Sequence, residues 1–119
     1  AAVWVKSVRT PEALTDAEAR MVESYLVSIM LQWDHMLQME ANDLITLEHA
    51  RQHIVSVAPF YFGSRFAKNW WKYEEAGWRG TRMFEIAGPI INGLDENFIA
   101  KRLDETKIAP SAPPQPAGQ

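Results

Sequence analysis

The chain has 119 residues, with 12 lysines and arginines against 15 aspartates and glutamates, a formal net charge of −3, and no cysteine. A chain of this length fits one domain that buries roughly two-thirds of its unfolded surface without covalent staples. The missing thiols exclude disulfides, thiolate zinc sites and thiol nucleophiles, and the acidic balance leaves no global field for recruiting nucleic acid.

The opening Ala1-Ala2-Val3-Trp4-Val5 is too short for a membrane span and lacks the basic start of a signal peptide, so the chain as given reads as soluble. Thr10-Pro11 offers a cap followed by proline at a first helical position. Thr15-Asp16-Ala17-Glu18 has capping-box spacing, and Val22, Tyr25, Leu26, Ile29, Met30, Trp33, Met36 and Leu37 then recur at steps of three and four. Together they predict a long amphipathic helix over about Asp16 to Ala41. Thr46 caps a second helix, expected to stop near Ala58 because Pro59 disfavours helical geometry in the residue before it. Phe60-Tyr61-Phe62-Gly63 then reads as an apolar corner. Ser64 caps a third helix reaching about Glu75, with Gly77 placed as a left-handed C-terminal residue. Thr81 opens a fourth carrying Met83, Phe84 and Ile86, which Gly88-Pro89 is expected to break, leaving Pro89 to Leu94 as an apolar loop. Asp95 caps a last helix with Phe98, Ile99 and Leu103 on one face. The expected fold is an all-α bundle of four to five helices over residues 1–108. Ala109-Pro110-Ser111-Ala112-Pro113-Pro114-Gln115-Pro116 opens an extended, proline-rich tail over 109–119, which cannot form a core of its own and is expected to drape on a partner protein.

Candidate chemistry is sparse. His49 and His53 stand four apart on the second helix with Glu48 beside them and His35 on the first, a spacing that could share a metal. It is neither the His-Glu-x-x-His pattern of metalloproteases nor the paired Glu-x-x-His pattern of di-iron bundles, so solvent-facing or packing histidines are the preferred reading. Asp34 and Glu40 are six apart and point in different directions, no serine sits in a nucleophile elbow, and no glycine-rich phosphate loop occurs. We therefore expect no enzyme, no cofactor and no bound metal.

The segment from Arg65 to Arg82 is the most informative. It sets Arg65, Lys68, Lys72, Arg79 and Arg82 against Glu74 and Glu75, interleaved with Trp70, Trp71, Tyr73 and Trp78. Neighbouring tryptophans on a helix are separated by about 100 degrees, so one of Trp70 and Trp71 is expected in the core with Phe66 and the other at its boundary. Core packing is the plain reading of this cluster. A protein interface is the next, because Trp, Tyr and Arg dominate binding hot spots. A membrane interface is the third, and stacking of single-stranded nucleic acid is not expected of a net acidic chain without an RNA-binding signature. We take Arg65, Lys68, Trp70, Trp71, Trp78, Arg79 and Arg82 as the partner-binding candidates.

Val3-Trp4, the loop Thr10-Pro11-Glu12-Ala13-Leu14-Thr15-Asp16-Ala17-Glu18, Trp33-Asp34, Asp43-Leu44-Ile45 and Trp70-Trp71 follow one another along residues 3–75. In this order they resemble the soluble helical domain of a group of uncharacterised bacterial proteins in which a single N-terminal transmembrane helix precedes that domain. Residues 77–94 depart from the group, where a Phe-containing helix closely follows the tryptophan pair. The chain also begins where the group has passed its membrane helix, which implies a processed or truncated form. The resemblance implies no reaction. It implies life at a bacterial membrane surface, with the cytoplasmic side favoured. The sequence-based expectation is thus a non-catalytic interaction domain, an accessory or structural subunit of a membrane-associated assembly such as a photosynthetic or respiratory complex. The rival expectations are a metal-dependent enzyme using His49 and His53, and a module holding a small apolar ligand between the long helix and Phe60-Tyr61-Phe62.

Overall fold

The computed structural model describes residues 2–108; the proline-rich tail expected at 109–119 lies outside them. The described chain is all-helical: α1 (Ala2–Arg9), a 3₁₀ turn (Pro11–Ala13), α2 (Asp16–Ala41), α3 (Leu47–Phe62), α4 (Arg65–Glu74), a second 3₁₀ turn (Glu75–Trp78), α5 (Arg82–Asn92) and α6 (Phe98–Thr106).

Helix α2 starts where its capping box lies. Glu18 N–H donates to the Thr15 hydroxyl at 3.2 Å, and the Thr15 N–H donates back to Glu18 Oε1 at 3.0 Å. Thr46, Ser64 and Thr81 cap α3, α4 and α5 in the same way, each accepting from the backbone N–H three residues on. Helices α2, α3 and α5 pack on one another and enclose the core. Leu26, Met30, Trp33 and Leu37 of α2, Ile54, Ala58 and Phe62 of α3, and Met83, Ala87 and Ile91 of α5 are its buried contributions, with Trp71 entering from α4. The Trp33 and Phe62 rings meet at 5.4 Å between centroids.

Helix α1 is the sixth helix, one more than the sequence suggests. Eight residues are too few to show a periodicity or to hold a helix alone. It forms by packing on α2, α4 and α6, with Ser7 and Val8 buried.

Two prolines behave differently from expectation. Pro59 and Pro89 do not end their helices but sit inside α3 and α5, one turn before the C-cap. Each lacks an N–H, which strips the helical donor from the carbonyl four residues earlier. Those residues, Val55 and Glu85, lie on exposed faces where water can replace it. Each proline carbonyl then accepts the N–H of a glycine C-cap, Gly63 and Gly93, both at 3.1 Å. Residues 89–92 are therefore the last turn of α5 and not a loop. The left-handed glycine near the end of α4 is Gly80, at φ 82, and not Gly77, which lies within the 3₁₀ turn. α6 starts at Phe98, three residues past Asp95, whose carboxylate accepts the Asn97 N–H at 2.9 Å and pairs with Lys101 at 2.9 Å.

A candidate interaction groove along helix α4

Phe66, Trp70 and Tyr73 stand at i, i+4 and i+7 on α4, which lines them up on one face, whereas Ala67 and Trp71 turn to the core. Opposite that face lies the first half of α2, carrying Asp16, Ala19, Arg20 and Glu23. Between the two runs a groove of about 520 Å³ lined by these residues and Asn69. It continues past Phe66 and Asn69 into a second hollow of about 420 Å³ bounded by Pro11, Glu12 and Arg65. The result is one trough with an aromatic floor and a rim of both charge signs.

Glu23 fixes the floor. Its Oε1 accepts the Trp70 indole N–H at 2.9 Å and its Oε2 accepts from Arg20 at 2.7 Å, so one carboxylate joins α2 to α4 and orients the Trp70 ring. At the far end Arg65 approaches Glu12 at 3.6 Å. Tyr73 closes the row with 80% of its surface in solvent, the most exposed aromatic of the described residues.

Of the seven partner-binding candidates, only Arg65 and Trp70 line this trough, and Trp70 is a buried part of its floor. Trp71 is 1% exposed; its indole N–H donates to Asn92 Oδ1 at 3.2 Å and its ring lies 6.3 Å from that of Phe84. Both members of the tryptophan pair are thus buried, where the sequence suggests one. Lys68 Nζ donates to the carbonyls of Asn92, Leu94 and Ile91 at 2.8, 2.9 and 3.3 Å, a positive charge placed on the carbonyls at and just past the C-terminal end of α5. Arg82 donates through Nε and Nη2 to the buried Glu40, which gives that carboxylate its structural reason. Trp78 is half-buried against the core, and the exposed Arg79 lies 3.9 Å from Glu75.

Pro11, Glu12, Asp16, Ala19, Arg20, Glu23, Phe66, Asn69 and Tyr73 complete the trough but are absent from the sequence-based candidate set. The signal for the floor is present in the sequence as the 66, 70, 73 spacing. The α2 wall depends on how two distant helices cross, which no local pattern carries.

The three histidines, His35, His49 and His53, are exposed. Among the described residues no group of three His, Cys, Asp or Glu side chains is placed to hold a metal ion, so the His49/His53 pair finds no third ligand. A separate hollow of about 310 Å³ opens where the small-ligand reading expects one, between α2 and α3, lined by Trp4, Tyr25, Ser28, Ile29 and Tyr61. Phe62 is inside the core, and Phe60 packs edge-on against Phe98 at 5.1 Å, so of that trio only Tyr61 reaches the hollow. No helix of the described residues is long and apolar enough to cross a membrane. Comparison of the chain with protein-family models, with curated proteins and with solved structures returned no match.

Proposed function

We propose that this protein is a non-catalytic helical interaction domain that engages a partner protein through the α2/α4 trough. The observation that carries the reading is Tyr73: a large aromatic side chain left 80% exposed at the end of a row whose other members, Phe66 and Trp70, floor an open groove. Trp, Tyr and Arg, the residue types that line this groove, are those that dominate binding hot spots. Arg20 and Arg65, interspersed with Glu12, Asp16 and Glu23, give the rim both signs, which suits a mixed-charge protein surface better than an anionic lipid or a nucleic acid. The setting we propose is a membrane-associated bacterial assembly in which the protein is an accessory subunit; the resemblance of residues 3–75 supports that setting.

Affinity capture from the source organism with wild-type protein, Tyr73→Ala and Arg51→Ala tests the reading. Arg51 is exposed on α3, away from the trough. Tyr73→Ala is expected to weaken the association about 30-fold, the effect of losing a hot-spot residue, while Arg51→Ala retains it. Equal capture by all three proteins overturns the proposal.

A further inference from the structure

Each end of the trough carries one half of a contact. At the C-terminal end of α4 the Tyr73 ring projects with 80% of its surface in solvent. At the N-terminal end lies the hollow of about 420 Å³ between Pro11, Glu12, Arg65, Phe66 and Asn69. Its chemistry suits a tyrosine: Phe66 and Pro11 offer apolar contact, the Arg65 guanidinium can lie on the face of a ring, and the Glu12 carboxylate can accept a phenol O–H. Phe66 and Tyr73 are seven residues apart, so projection and hollow are separated by about 10 Å along one helix. A face that holds both halves of a contact is complementary to itself, which is the requirement for an isologous pair.

The polar row beside the aromatics has the same symmetry. Arg65, Asn69 and Lys72 stand at i, i+4 and i+7, all exposed. Asn69 is four residues from Arg65 and four from Tyr73, and it borders both hollows of the trough. A two-fold axis at Asn69, perpendicular to α4, lays a second α4 antiparallel on the first. The partner's Tyr73 then arrives at the hollow and the partner's Lys72 beside Glu12, whose side chain is 68% exposed. The two Asn69 amides meet on the axis, where each can donate to and accept from the other. A parallel pairing instead sets Arg65 on Arg65 and Lys72 on Lys72, like charge on like, and leaves both tyrosines in solvent.

We propose that the partner received by the trough is a second copy of this chain, paired antiparallel along α4, with Tyr73 of each copy in the hollow at Arg65 of the other. The proposal rests on the trough reading and narrows it to one partner.

Sedimentation equilibrium of the full chain tests it. A contact built on one ten-residue helix and its walls is at the small end of specific interfaces, so a monomer–dimer equilibrium is expected within about 5 to 500 µM. Each substitution counts twice across the axis, and Tyr73→Ala is expected to weaken dimerisation by about 100-fold or more. Lys72→Glu sets two carboxylates against each other at each end and should weaken it about tenfold, as should Glu12→Lys. The double variant Glu12→Lys/Lys72→Glu restores opposite charges across the antiparallel pair and should dimerise more tightly than either single variant. A dimer indifferent to Tyr73→Ala, or a double variant no tighter than the singles, overturns the proposal. So does a wild-type chain that stays monomeric throughout; if it still captures a different protein in a Tyr73-dependent way, the trough reading survives without this one.

Discussion

Glu40 illustrates how a single buried carboxylate constrains its surroundings. It is 8% exposed near the end of α2, and Arg82, at the first position of α5, reaches it with two N–H groups while staying 43% exposed itself. Truncating the arginine leaves a desolvated carboxylate without its charged partner, which costs more than the pair contributes when intact. Arg82→Ala is therefore expected to destabilise the fold by about 2 kcal/mol in urea unfolding, the lower range for a pair with one solvent-facing member. Glu40→Met/Arg82→Met should lose less than the single variant, because it removes the desolvation cost along with the attraction. A double variant as unstable as Arg82→Ala would refute this account. The sequence offers Arg82 as a partner-binding candidate from its basic, tryptophan-rich stretch; its contact with Glu40, 42 residues earlier, is one that no local pattern carries.

At the scale of elements, α6 depends on one glycine. A β-carbon on Gly63 would stand 2.5 Å from the Pro59 carbonyl oxygen and 2.8 Å from the Phe98 β-carbon. The first contact belongs to the end of α3 and the second to the start of α6, and neither is a flexible side-chain tip. Gly63→Ala is expected to cost about 3 kcal/mol, at the upper end for overpacking, and to loosen α6 first. Amide exchange should show this as faster exchange at Ile99, whose N–H bonds the Gly63 carbonyl, with α2 little changed. Uniform acceleration across all helices would contradict it. The starts of α2, α3, α4 and α5 were legible from Thr15, Thr46, Ser64 and Thr81, since an N-cap is a local hydrogen bond between residues three apart. The helix ends at Phe62 and Asn92 were not, because a proline one turn from a terminus loses only a bond that solvent can replace. The α4 floor could be read from helical spacing and the α2 wall could not, for want of any local signal of helix crossing.

At the scale of the molecule, α1 is held on two sides by ion pairs with residues remote in sequence. Lys6 donates to Glu18 at 2.8 Å and Arg9 to Asp104 at 2.7 Å. The Lys6 hydrogen bond, joined by the Thr15 N–H, lowers the Glu18 carboxyl below its ordinary value of 4.5, and the Arg9 hydrogen bond lowers Asp104 below 3.8. A carboxylate lowered on folding contributes stability that is complete above its unfolded value and lost as pH falls through the folded one. Attachment of α1 should thus be unaffected by pH above about 4.5 and weaken progressively below it. Urea unfolding from pH 6 to 3 checks this: a Lys6→Met/Arg9→Met variant is expected to show a shallower decline than the wild type over the acid part of the range. Parallel declines would place the acid sensitivity elsewhere.

Helices α1 and α6, the first and last of the described residues, lie against each other, with Arg9 of one paired to Asp104 of the other. Such a domain can be carried in a surface loop of another protein without parting the host strands far. It can equally be rejoined there by a short linker and reopened at the Asn42–Thr46 turn, where Asp43 already holds a left-handed backbone and the side chains of 41–44 lie in solvent. A circular permutant cut at that turn would keep every helix intact and exchange only which of them is made first.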